Sequence, residues 1–466
     1  MVKTRLTIFI FFLLLSFATL IISCGDEVVV PTVVASITGD PVADATTPPQ
    51  SLIPTPLPPL DEKALNGTPE IGPEQQAVAQ AFVNDLGIQL VPDGSVGIQS
   101  VSAFETISPI DGSTLWVAYT TGIRSFDPLQ NHAIAIYRKA NDEWRQLALF
   151  EMADALPTIN VNKQAIEIQP LSPDYLGQGS VFPVTIEPKK LWLQVDGGVG
   201  AHSGVFALLS FDEITIKQEA SGFSASPGAG SVEDVNGDGV GEVILDNSDY
   251  YVFCYACGVR APDYAILRWD GASMVAVEAQ SLPADAPAEL RSLNERMITQ
   301  AAAGLWKDAL NTMAQISAQP ASDVSAIQQW NLAWIRVNGE ARRLQAESQG
   351  GAYLLLDQVY FGDFAMAVDA MRGYNAESIF NRNSPLIVGT VAEGNENALS
   401  KTLINSVNDA IQLYPNDPTS APAYFLRAWA YYLQGDRASA VNDLQQASTL
   451  APDDKLFDDS FQYLKP

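Results

Sequence analysis

Histidine, cysteine and basic residues are all scarce in this chain. Only two histidines, His132 and His202, occur in 466 residues. That leaves little material for a His-rich metal shell or a Ser–His–Asp site. No His-Glu-x-x-His run and no serine-centred elbow is present. Lysine and arginine number 26 against 54 acidic residues, for a net charge of −28. Such a surface repels phosphate backbones, which argues against nucleic acid as a partner, and it suits cation binding and solubility beside a membrane. The glycine-rich Gly197–Gly204 lacks the Gly-Lys-Ser/Thr of a phosphate-binding loop, and no helical pattern follows it. It reads as a loop between strands, with His202 and Ser203 a candidate binding surface for which no partner acid can be assigned. What is plentiful is apolar material, at 47% of residues, enough to fill the two or three cores that this length requires.

Long apolar runs are also missing after the first segment. Lys3 and Arg5 precede an apolar stretch from Leu6 to Ile22, followed by Ser23, Cys24 and Gly25. A short basic stretch, an apolar core and a small residue before the cut define a secretory signal. The alternative is an uncleaved span, for which the run stands at the short end of the roughly 17–25 residues needed. The tetrapeptide Ile21-Ile22-Ser23-Cys24 resembles the bacterial lipobox. That resemblance implies a signal peptide over 1–23 and a covalent lipid such as palmitate on Cys24. It also implies a protein held outside the cytoplasm on the cell membrane, in the cell envelope. Two or more acyl chains, at about 0.8 kcal/mol per buried methylene, anchor a protein stably. Residues 24–73 hold ten of the 29 prolines, so the segment is expected to be an extended linker without helix or sheet. At about 3.1 Å per residue it reaches on the order of 100 Å.

Residues 74–160 and 161–282 read as a helix plus β-sheet subdomain and a β-rich domain. Glu74–Leu86 has apolar residues at helical spacing, ended by Gly87. Strand patterns follow at Leu115–Tyr119, Ala133–Tyr137, Trp144–Phe150, Ala165–Ile168, Leu191–Val195, Val205–Phe211, Val243–Leu245, Tyr250–Phe253 and Ala265–Trp269. The polar Lys139–Glu143 marks a hairpin. Regular short strands between Gly, Pro and Asp predict an antiparallel sandwich or a partial propeller.

Within this region Asp234, Asn236, Asp238, Val240 and Glu242 space oxygen ligands around Gly237 and Gly239. Alternate oxygens around a glycine turn suit a hard cation. The twelfth position is Leu245, which excludes an EF-hand. The run resembles the calcium loop of FG-GAP, integrin-like repeats, with acids or amide at first, third, fifth and ninth positions, the Val240 carbonyl as a further ligand, and a strand following. The resemblance implies a structural calcium; the alternative is a polar turn with no ion. If Cys24 carries lipid, Cys254 and Cys257 remain as one pair. Their Cys-x-x-Cys spacing reads as a local disulfide, with thiol-redox use as the alternative; a zinc site lacks its second ligand pair.

After Pro283 strand signals give way to alanine, leucine and glutamine. Tyr424, Ala428, Tyr431, the turn Gln434-Gly435-Asp436, then Ala440, Leu444, Ala447 and Pro452 form one unit. It resembles a tetratricopeptide (TPR) repeat, a helix–turn–helix of about 34 residues. Arg427 stands where that family usually has leucine. Ala410–Pro415 resembles the close of a preceding unit, and Phe361–Phe364 and Gly304–Trp306 echo the turn. Residues 375–393 read as an insertion and 455–464 as a capping helix. The resemblance implies an all-α solenoid over 283–466. In such repeats Pro422, Phe425, Trp429 and Tyr432 face the groove, where aromatics can hold an extended peptide. They can equally pack on the neighbouring unit.

The expected architecture is thus multidomain α+β. The expected function is non-catalytic: a lipid-anchored protein that binds a protein or peptide partner. An envelope hydrolase or glycan-acting enzyme, needing two convergent carboxylates or an activated nucleophile, and a thiol-redox protein using Cys254 and Cys257 are the alternatives.

Overall fold

A computed structural model of the chain describes residues 72–87, 100–123, 131–152, 159–161, 164–166, 172–317, 325–348 and 350–466. The expected signal peptide, Cys24, the linker up to residue 71, and 167–168 of the strand expected at Ala165–Ile168 lie outside the described residues. Among the described residues no helix is long and apolar enough to cross a membrane. The protein is α+β, with an antiparallel β-rich middle and a helical C-terminal region.

Helix α1 (Pro73–Leu86) begins on a proline, which the first turn tolerates, and ends at Gly87 with φ 64. Strands β1 (Ser100–Ile107), β2 (Thr114–Ile123), β3 (Ala133–Ala140) and β4 (Glu143–Glu151) follow as a meander. The β3–β4 turn is tighter than the five-residue loop read from sequence. It consists of Asn141 and Asp142, both left-handed, the pair of conformations a two-residue type I′ hairpin needs. A separate short hairpin joins β5 (Ile159–Val161) and β6 (Gln164–Ile166).

Strands β7 (Tyr175–Leu176), β8 (Val181–Val184), β9 (Leu191–Val199), β10 (Ser203–Phe211) and β11 (Ile216–Ser224) complete a nine-stranded antiparallel sheet. Its order is β11-β10-β9-β7-β2-β3-β4, with β1 on β2 and β8 on β9. The sheet curls like half a barrel, bringing its end strands β4 and β11 near one another. Because β7 bonds to both β2 and β9, the boundary expected at 160/161 falls inside one sheet. Strands β12 (Gly230–Glu233), β13 (Glu242–Asp246), β14 (Tyr264–Trp269) and β15 (Met274–Ala276) form a second, four-stranded antiparallel meander.

Period-2 alternation places these layers. Leu115, Val117 and Tyr119 of β2 point into the curl with Ala207, Leu209 and Phe211 of β10. The alternate residues of β2, Trp116 and Ala118, lie under Val78 and Phe82 of α1. Those of β10, Phe206 and Leu208, lie against Val243, Leu245 and Leu267 of the second sheet. That sheet's other face, Ile244, Tyr264 and Ile266, packs on Ala333, Val337 and Ala341 of a long helix described next. Each strand therefore serves two cores. The β12–β15 meander packs on the curled sheet and on a helix.

The helices are α2 (Ala288–Ala302), α3 (Trp306–Ser317), α4 (Ala326–Glu347), α5 (Leu354–Phe361), α6 (Phe364–Asp369), α7 (Ala376–Ile379), α8 (Glu396–Leu413), α9 (Ala421–Leu433), α10 (Arg437–Leu450) and α11 (Lys455–Leu464). Neighbours in sequence pack as neighbours in space, notably α2 on α3, α8 on α9, α9 on α10 and α10 on α11. Gly362, with φ 78, ends α5 against the backbone of Gly304 and Leu305, where a Cβ would clash. The strand expected at Tyr250–Phe253 is instead a loop. Only Asp249, just before it, bridges to Ala261, and Tyr250 is turned to donate its hydroxyl to Asp246. A pattern of apolar residues makes a strand only where a ladder partner is available, and β14 is already spent on β13 here.

Candidate functional site

The aromatic residues expected to line a groove do not line one. Phe425 and Trp429 are completely buried. Phe425 packs with its ring centroid 5.9 Å from Phe380 and 5.0 Å from Phe457. Tyr432 is half-buried, 5.4 Å from Phe380, and Pro422 is also half-buried. The 375–393 segment and α11 close over this face of α9, so these rings are core. This corrects the groove reading and selects its alternative, packing on neighbouring elements.

An open cleft of about 380 Å³ lies instead between α2, α3 and the α8–α9 connection. Arg296 and Gln300 face it from one turn of α2, and Asp308, Asn311, Thr312 and Gln315 from one face of α3. Tyr414, Asp417 and Thr419 complete it. Its floor is a buried polar chain. Thr312 donates to Gln300 Oε1 at 2.7 Å, and Gln300 Nε2 donates to the Tyr414 hydroxyl at 3.4 Å. At the rim, exposed Arg296 donates to Gln315 Oε1 at 2.7 Å. Asp308 is pushed above the usual carboxylate range, first by burial and then by the charges of Asp363 and Asp417, against the pull of Lys307. Asp417 accepts from the backbone N–H and hydroxyl of Thr419, which hold its pKa low. The lining offers amide donors and acceptors with one cation and two acids, and contains no His, Cys, Ser or Lys. Such a surface can meet a polar ligand through hydrogen bonds. Sequence reasoning passed over these residues because amides and single charges on a helix surface look the same whether or not a cleft lies outside them.

The Asp234–Glu242 loop joins β12 to β13. Asp234 accepts backbone N–H bonds from Gly237 (2.7 Å), Asp238 (3.1 Å) and Gly239 (2.8 Å). Asn236 accepts from the Asp238 N–H, and Asp238 from the Val240 N–H, both at 2.8 Å. Gly237 and Gly239 take φ 83 and 87, which the turn requires. Glu242, 2% exposed, points inward to accept the Val235 N–H at 3.1 Å. Burial, and then the charges of Asp238 and Asp234, push its carboxyl up to about 7. Among the described residues no three His, Cys, Asp or Glu side chains are gathered as a metal shell. The donor set nevertheless fits a hard cation electrostatically. Asp234, Asp238 and Glu242 repel one another, and each carboxylate keeps lone pairs beyond those its backbone bonds use. Arg336 of α4 donates to the Val235 carbonyl and fixes the base of the loop.

Cys254 and Cys257 are bonded, S–S 2.11 Å, across the short turn Tyr255–Cys257, with the Cys257 N–H donating to the Cys254 carbonyl at 3.0 Å. The turn ends at Gly258 and no α-helix starts there, whereas redox Cys-x-x-Cys sites use a helix N-terminus to activate the first thiol. The pair pins a surface loop. His202, at the tip of the β9–β10 hairpin, stacks on Tyr255. Comparison of the chain with protein-family models gives no match, and comparison with curated proteins gives none either.

Proposed function

We propose that this is an exported, lipid-anchored protein without catalytic activity, tethered through Cys24, which holds an extended segment of a partner protein in the cleft between α2, α3 and the α8–α9 connection. The observation that carries the reading is the chemistry of that cleft. A peptide backbone presents alternating N–H and C=O groups, and the exposed amides Asn311 and Gln315 can meet both above the floor that Gln300 helps to form, while Arg296 suits a carboxylate. A degenerate TPR-like solenoid is the architecture we infer for 283–466. The antiparallel pair α9–α10 turns at Gly435 with φ 82 and buries Ala428, Ala440, Leu444 and Ala447 in its seam, in keeping with that reading. We further assign the Asp234–Glu242 loop a structural calcium, held by Asp234, Asn236, Asp238, Glu242 and the Val240 carbonyl.

The test of the cleft is photo-cross-linking in cells expressing the full chain. A photoreactive residue at Asn311 is expected to capture a distinct partner that the same residue at exposed Glu347 does not. Arg296→Ala with Gln300→Ala is expected to cut that capture at least about tenfold, a loss on the order of 1.4 kcal/mol. In the same cells Cys24→Ser moves the protein from the membrane to the soluble fraction. Identical adducts from both positions, or none from a folded chain, would overturn the cleft reading. Unchanged membrane association of Cys24→Ser would overturn the anchor.

A further inference from the structure

Where the tip of the β9–β10 hairpin meets the loop after β13, three aromatic side chains gather at the surface. His202 stacks on Tyr255 with centroids 6.1 Å apart and planes 26° apart, and Tyr251 lies 5.7 Å from Tyr255. Tyr251 is 64% exposed and Tyr255 36%, and His202 is exposed as well. Clustered rings left in water are unfavourable for a free chain and are a mark of interaction surfaces. These rings are also held in place. The Cys254–Cys257 bond flanks Tyr255 on both sides. Asp249, two residues before Tyr251, accepts its N–H at 2.7 Å, and Asp174 accepts the N–H of Gly200, two residues before His202, at 3.0 Å, so a carboxylate fixes the backbone of each loop. A platform ordered in advance loses little entropy when it is covered.

Charge selects the occupant. Aromatic faces carry negative potential, Asp249, hydrogen-bonded to the Tyr251 N–H, adds to it, and the chain as a whole stands at −28. The nearest basic side chain on the same loop, Arg260, is drawn away to Gln345 of α4, at 3.0 Å. An anionic partner is repelled here, and a planar cation is favoured, since guanidinium stacks on tyrosine faces where an ammonium is held only as a point charge. We propose that His202, Tyr251 and Tyr255 form a docking surface for an arginine-bearing basic segment of a partner protein. The surface shares no residue with the helical cleft and stands or falls independently of it.

The experiment is fluorescence anisotropy on the full chain with a labelled peptide of alternating arginine and glycine and its lysine counterpart, in about 0.15 M salt, where long-range attraction is screened. The arginine peptide is expected to bind more tightly than the lysine peptide. Y251A with Y255A is expected to weaken it at least about tenfold and bring the two peptides level, as loss of an aromatic anchor does. Y251F with Y255F keeps the ring faces and is expected to retain affinity within about twofold. Both pairs should unfold at the parent temperature, since these rings are exposed. Equal binding of the two peptides by the parent chain would overturn the proposal. So would unchanged binding by the alanine pair, or a loss in the phenylalanine pair as large as in the alanine pair.

Discussion

Glu242 concentrates the argument at the scale of single residues. Its carboxyl is buried at the start of β13, inside the second sheet, within the field of Asp234 and Asp238, and accepts one backbone hydrogen bond. A cation binding the loop would relieve that repulsion and add stability by mass action. At about 10–100 times the dissociation constant, the gain is about 1.4–2.7 kcal/mol. Millimolar calcium is therefore expected to raise the unfolding midpoint by a few degrees, chelator to reverse it, and Asp234→Ala to abolish the response. Magnesium, which demands a tighter octahedral shell, is expected to do less. A midpoint indifferent to calcium in the parent chain would remove the ion and leave a polar turn. The tight polar turn between β12 and β13 was legible in the sequence because the Asp and Asn acceptors around Gly237 and Gly239, both at positive φ, mark such a turn. The aromatic face of α9 was not. Phe425 and Trp429 show the same helical spacing whether the space beyond them is a groove or the 375–393 segment, and only the tertiary fold puts Phe380 and Phe457 there.

Between elements, Arg427 explains its own departure from the repeat pattern. From α9 its guanidinium grips Asp443 of α10 with two bonds, 2.7 and 2.9 Å, and reaches Asn408 of α8 at 2.9 Å. Both side chains of the ion pair are largely buried, at 18% and 10% exposure. Three helices thus share one polar clasp in place of a leucine. Removing one partner strands a buried charge, so Asp443→Ala is expected to destabilise by about 3 kcal/mol, while Arg427→Leu with Asp443→Leu together should return close to the parent. Urea unfolding of the single and double variants measures both. An Asp443→Ala chain as stable as the parent would show the pair to be solvated in practice. Helix α1 and the strands β2, β3, β4, β9 and β10 could be read from periodicity, and α1 begins one residue from its expected start, whereas the long helix α4 was not read as an element. Of the strands that escaped, β7, β8 and β15 are only two to four residues long, and β11 (Ile-Lys-Gln-Glu-Ala-Ser-Gly-Phe-Ser) is polar and glycine-bearing. β11 is a strand because β10 supplies its ladder, with a bulge at Leu208/Leu209, and not because its residues favour one.

For the whole molecule, the junction between sheet and helices matters most. Sequence composition changes sharply near residue 283, and two independently folding domains are the natural expectation from that change. The structure stitches the two regions together through α4. Asn338, 1% exposed, accepts the Tyr264 N–H and donates to the Tyr264 carbonyl, both at 3.0 Å, mimicking a neighbouring strand. Two helical turns earlier Asn331 does the same to Gln280, accepting at 2.9 Å and donating at 2.7 Å, while Asn294 of α2 also donates to the Gln280 carbonyl. Seven residues apart on one helix face, these amides bond the backbone of β14 and of the segment after β15 as Ala333, Val337 and Ala341 bury against Ile244 and Ile266. Interfaces between separable domains are usually more polar and more yielding than this. The β-rich and helical regions are therefore expected to unfold as one cooperative unit. Hydrogen exchange followed by mass spectrometry across a urea series should give peptides from β12–β15 and α8–α11 the same midpoint. Asn331→Ala with Asn338→Ala takes the side-chain partner from three backbone groups, the Tyr264 N–H and carbonyl and the Gln280 N–H, while Asn294 still holds the Gln280 carbonyl; at roughly 1–3 kcal/mol for each buried group left unsatisfied, this should split that midpoint in two. Separate midpoints already present in the parent chain would mean that the seam is a contact between domains and not a shared core.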